Sequence, residues 1–96
     1  MQHQLFLAQN ALARAALSNL LDGAYPHDLQ SFTGLDLAYC EEVYALLSAP
    51  SGSVQYVDAF LAVTDGLTAD DIYRNTDLPR VRCEEIIGLR NELMPH

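Results

Sequence analysis

The chain of 96 residues contains no lysine and no tryptophan. Its basic side chains are five arginines set against 13 carboxylates, a formal charge of −8. A surface of that sign repels the nucleic-acid backbone over most of its extent, so any DNA contact needs a local basic patch. Binding to a basic protein surface needs none. Also missing is a run of about 18 apolar residues, the length of a membrane-spanning helix, so no membrane association is expected. The stretch from Leu5 to Leu21 is broken by Gln9, Asn10, Arg14, Ser18 and Asn19, and no basic segment precedes it. That pattern argues against a signal peptide and for a cytoplasmic chain.

Chemistry-bearing motifs are equally scarce. Two cysteines, Cys40 and Cys83, do not make a disulfide framework in a cytosolic protein, and no CxxC or Cys–His spacing suggests a metal. They read as small buried hydrophobes. His3, His27 and His96 fall near loops or termini without metal-ligand spacing. No glycine-rich phosphate loop or nucleophile motif occurs. Asp70-Asp71 and Glu84-Glu85 are helix neighbours that point about 100° apart, too divergent for an acid/base pair. The expectation is a non-enzymatic protein without cofactor or metal.

What the chain does contain is a repeat. Residues 22–46 and 65–89 align without a gap at an offset of 43, and nine of the 25 pairs are identical. The identities are Asp22/Asp65, Gly23/Gly66, Asp28/Asp71, Thr33/Thr76, Leu35/Leu78, Cys40/Cys83, Glu41/Glu84, Glu42/Glu85 and Leu46/Leu89. Such a period implies one supersecondary unit used twice. Half of the residues are apolar, enough for the core of one small domain spanning 1–96. Repeat 1 covers about 5–48 and repeat 2 about 54–93, joined by a turn-rich linker at 49–53.

Helical spacing places a first helix over 3–21, with Leu5, Leu12, Ala16 and Leu20 inward and Phe6, Ala13 and Leu17 beside them. Gly23 suits a left-handed stop. Pro26 suits the first turn of a short helix over 26–33. Asp36 suits the N-cap of a third, over 37–48, with an apolar stripe at Leu37, Cys40, Val43, Tyr44 and Leu47. The second repeat gives helices over 54–64, 69–75 and 79–93. Val54, Val57, Phe60, Leu61 and Val63 form the core of the fourth, and Cys83, Ile86, Ile87 and Leu93 face inward on the sixth. Thr68 and Asp71 form a short capping box on the fifth. Asp77 takes the place of Gly34, where the turn calls for a left-handed residue. With no strand pattern, the fold class is all-α: about six helices, as duplicated three-helix units in one compact domain.

At Leu67, Thr68, Ile72, Thr76, Asp77, Leu78, Pro79, Cys83 and Ile86 the second repeat resembles a helix-turn-helix. The first repeat matches at Leu29, Gly34, Leu35, Cys40 and Val43, and the second departs from the motif at Tyr73. The resemblance is to the superfamily, as two tandem diverged copies. In its DNA-binding members the second helix enters the major groove. The matching outward positions are Pro79, Arg80, Val81, Glu84, Glu85 and Gly88, and in the first copy Asp36, Leu37, Ala38, Glu41, Glu42 and Ala45. Both would-be recognition helices carry a glutamate pair where phosphates would lie.

Two readings follow. In the first, the chain is a small acidic regulator that acts through protein–protein contacts, an inhibitor or antiactivator of a nucleic-acid-binding partner with a basic surface. Its interaction residues are Tyr39, Glu41, Glu42, Tyr44, Glu84 and Glu85. The tyrosines also fit as half-buried core residues. In the alternative, the chain is a DNA-binding transcriptional regulator that reads DNA through Arg74, Arg80, Arg82 and Arg90 of the second repeat, while the first repeat builds a homodimer.

Overall fold

Helix stops and starts along the chain become six helices. The computed structural model describes residues 2–49 and 54–94, with side chains from Leu7 onward. The elements are α1 (Gln2–Leu20), α2 (Pro26–Thr33), α3 (Leu37–Leu46), α4 (Gln55–Thr64), α5 (Ala69–Asn75) and α6 (Arg80–Leu93). Every regular element among the described residues is helical. The linker at 50–53, the tail Pro95-His96 and the side chains of His3, Leu5 and Phe6 lie outside the described residues.

The same hydrogen bonds recur 43 residues apart. Thr33 Oγ1 donates to the Leu29 carbonyl at 2.8 Å and accepts from Leu35 N–H at 3.2 Å. Thr76 Oγ1 donates to the Ile72 carbonyl at 2.8 Å and accepts from Leu78 N–H at 3.3 Å. The thiols of Cys40 and Cys83 donate weakly to the carbonyls of Leu35 and Leu78, at 3.9 and 3.8 Å. At the opposite helix ends, the carboxylates of Asp28 and Asp71 accept from the N–H of Tyr25 and Thr68, each at 2.9 Å. Thr, Leu, Cys and Asp are thus identical in the two stretches at positions that lock a helix–turn–helix connection. In the second, Thr68 Oγ1 also accepts from Asp71 N–H at 3.2 Å, completing a capping box.

The two turns differ in one respect. Gly34 has φ +78 and donates its N–H to the Gln30 carbonyl at 2.8 Å. Asp77 does not take the left-handed conformation expected of it, because no described non-glycine residue has positive φ. Here the helix ends one position earlier, at Asn75, and Thr76 is extended at φ −136, so the chain turns without a left-handed residue. Asp36 occupies the N-cap of α3, but its side chain makes no capping bond. Pro79 is the N-cap of α6 rather than its first residue. The last turn after α3 tightens to i→i−3 bonds at Leu47, Ser48 and Ala49, which ends the helix two residues before the expected position.

Helix α1 packs along α4. Helix α6 packs on both, α3 packs on α4, and α2 and α5 each pack on the helix that follows. Ala13, Leu17, Leu29, Cys40, Val43, Phe60, Val63, Ile72, Cys83 and Ile86 form the core. Leu12, Leu37 and Val54, expected inside, are 55%, 41% and 52% exposed. In α1 the buried stripe is Ala13, Ala16, Leu17 and Leu20, and α1 packs more extensively on α4 than on any other helix; this rotation leaves Leu12 outside.

Tyr56 is fully buried. Its hydroxyl donates to the Ala49 carbonyl at 2.7 Å and accepts from the Arg14 guanidinium. Arg14 also donates to the carbonyls of Leu47 at 2.6 Å and Ala49 at 2.9 Å, and its guanidinium carbon lies 4.8 Å from the Tyr56 ring centre. One cation from α1 thereby closes the C-terminal carbonyls after α3 and grips the start of α4. Arg90 of α6 does similar work at the end of α4, donating to the carbonyls of Thr64 at 2.7 Å and Leu67 at 2.5 Å.

Two outcomes follow. Replacing Arg14 by Met keeps the stem but removes a donor from three acceptors, of which the Ala49 carbonyl keeps the Tyr56 hydroxyl; urea unfolding should show a loss of about 2–4 kcal/mol. Gly34→Ala should cost about 1–2 kcal/mol, because alanine is strained at this φ. Asp77→Gly should bring no gain, since Asp77 carries no left-handed strain to relieve.

Candidate protein-interaction surface

Residues 39, 42, 43 and 46 fall at i, i+3, i+4 and i+7 on α3, one helical face. Residues 55, 58 and 59 repeat that spacing on α4. These two faces flank a groove of about 520 Å³. Val43, Leu46, Ala49 and Ala59 give it an apolar floor, and Glu42 and Asp58 are exposed acids on its walls. Tyr39 is half-buried between them. Its phenol is pushed above the ordinary value of 10.0, first by burial and then by the negative charges of Asp58 and Glu42. The groove is therefore apolar below and negative above, with an aromatic ring in its wall.

The residues singled out in the sequence do not gather at one place. Tyr39 and Glu42 line the α3–α4 groove, whereas Glu41 is exposed on α3 and is not part of the lining. Tyr44 lies five positions from Tyr39, about 140° around the helix. Its phenol is raised by burial first and then by Asp28 of α2, which places it on the other side of α3. The buried Tyr44 hydroxyl has no hydrogen-bond partner among the described residues. Glu84 and Glu85 are exposed on α6, where Glu85 lines a different groove, against α1. Asp58 and Gln55 were not singled out. The signal for Asp58 was a lone carboxylate inside the otherwise apolar stretch Tyr56–Val63.

The candidate DNA-contacting arginines are largely engaged. Arg80 pairs with Asp70, and its guanidinium carbon lies 4.8 Å from the Tyr73 ring centre. Arg82 pairs with Glu85 at 3.0 Å, one helical turn on. Arg90 is turned into backbone carbonyls, as described above. Arg74 is exposed at the end of α5, on a polar cleft that also contains Asp22, Asp28 and Asp77. Cys40 and Cys83 are both free and buried, and burial is the main cause of their raised thiol pKa values. Among the described residues no three His, Cys, Asp or Glu side chains converge as metal ligands would.

Asp58→Asn and Glu42→Gln should each lower the Tyr39 pKa, and neither should return it to 10.0, because burial is the larger cause. A difference titration of tyrosinate absorbance against Tyr39→Phe reads this directly. The folded pKa is raised. The associated stability is therefore complete below the unfolded value of 10.0 and disappears as pH rises through the folded value. Tyr39→Phe should remove that part of the alkaline loss.

No protein-family model matches the chain, and neither a curated protein nor a solved structure is significantly similar to it.

Proposed function

We propose that this protein is a small, non-enzymatic regulator that binds a partner protein through the α3–α4 groove and covers a basic surface on it. The partner class that fits is a nucleic-acid-binding protein, because such proteins present clustered arginines and lysines. One observation carries the reading: the acids of the groove are exposed, while three of the four arginines that could face DNA, Arg80, Arg82 and Arg90, are paired with carboxylates or turned into the backbone, and the exposed Arg74 shares its cleft with Asp22, Asp28 and Asp77. Glu42 and Asp58 can each accept two hydrogen bonds from an arginine. The Tyr39 ring offers a face to the guanidinium. The apolar floor receives the aliphatic stem or a neighbouring apolar side chain. The helix-turn-helix resemblance is compatible with this role, since a fold of that kind does not by itself imply DNA binding.

The test uses two probes at low salt, an arginine-rich helical peptide and random-sequence duplex DNA, each followed by fluorescence anisotropy. The expected result is peptide binding that weakens with salt and falls about tenfold or more in the Glu42→Arg/Asp58→Arg double variant, with no DNA binding. Micromolar DNA binding with a steep salt slope, lost in Arg80→Ala/Arg82→Ala, would instead support the DNA-binding alternative and overturn this one.

A further inference from the structure

Away from that groove lies a face of opposite character. From Leu7 to Leu20 the single charged residue of α1 is Arg14, and it is turned toward the carbonyls of Leu47 and Ala49. The exposed residues Leu7, Ala8, Ala11, Leu12 and Ala15 carry no charge. Leu12 projects beside a second groove, about 320 Å³, between α1 and α6. Ala15 and Ala16 form one wall, and Ile86, Gly88 and Leu89 the other. A Cβ added at Gly88 would meet no heavy atom within 4 Å, so the α6 wall leaves open space at this position.

We infer that two copies of this chain pair through the α1–α6 face about a twofold axis. A twofold interface uses the same patch on both subunits, so the patch must contain both the projection and the recess that receives it. This face has both: the exposed Leu12, and the groove beside it, left open at Gly88. Charge selects the occupant. Two chains of −8 repel one another over most of their surfaces, and the α3–α4 groove carries only acids. The α1 side of this face is neutral, and its α6 rim has both signs: Arg82 with Glu85 and Glu92. With Arg82 tied to Glu85, the one uncompensated charge of this face is Glu92, so a basic partner gains little from it, whereas a second acidic copy can approach by its uncharged α1 side. The lining residues of the two grooves do not overlap, so pairing does not occupy the partner-binding groove.

Sedimentation equilibrium of the full chain, from low micromolar to submillimolar concentration, tests this. The expected result is a monomer–dimer equilibrium that does not weaken at high salt, because salt screens the repulsion between copies. Leu12→Glu should raise the dimer dissociation constant about tenfold or more, with the circular dichroism spectrum unchanged, since Leu12 is already exposed. Gly88→Leu should do the same by filling the recess, while improving the helix propensity of α6, so any loss of dimer is not a loss of fold. A wild-type chain that stays monomeric throughout, or a dimer that withstands either substitution, would overturn the proposal.

Discussion

The Arg14 guanidinium is the constraint on which the relation between the two halves depends. It reaches from α1 to the carbonyls of Leu47 and Ala49 and to the hydroxyl of Tyr56. Those carbonyls end one three-helix stretch and Tyr56 begins the next, so a single side chain spans the junction. Its setting explains why it can. The phenol ring beneath it and three oxygens around it replace the water that a partly buried cation gives up. Ala49 and Leu46 also line the α3–α4 groove, so the contact that closes α3 also helps set the shape of the proposed binding surface.

The remaining arginines show how a strongly acidic chain distributes few cations. Arg90 anchors α6 to the end of α4, while Arg80 and Arg82 are held by carboxylates on or next to their own helix pair. Exposed ion pairs of that kind add little to stability. Their larger effect is on the electrostatic field, since each offsets a carboxylate of the α5–α6 pair, whereas α3 and α4 carry Glu41, Glu42 and Asp58 and no basic residue. Both helix pairs keep the same internal locks, yet their outward faces differ in charge.

Much of the helical layout was legible in the sequence. Gly23, Gly34 and Gly66 sit at positive φ, Pro26 opens α2 and Thr68 caps α5, and these local signals place the boundaries of α2 and α5 and the stops after α1 and α4. The buried pairs Leu29/Ile72, Cys40/Cys83 and Val43/Ile86 were legible because the repeat marks them twice. The side on which α1 is buried was not. Leucine and alanine surround that helix, so several stripes satisfy the same period, and the packing of α1 along α4 decides among them. Tyr56 was missed because its partner Arg14 is 42 positions away, and a tyrosine in mid-sequence carries no mark of a distant cation. The groove was half legible: Glu42 comes from the repeat and Tyr39 from its place beside the glutamate pair, whereas Asp58 enters through tertiary contact between α3 and α4.

The two buried thiols have a consequence of their own. Each sits at a turn lock, Cys40 behind Leu35 and Cys83 behind Leu78, and each is fully shielded from solvent. A thiol so placed meets a water-borne reagent only when the helices around it separate. The chain thereby carries two internal clocks, one per helix pair, whose separate rates of alkylation would compare how often each half breathes without unfolding the other.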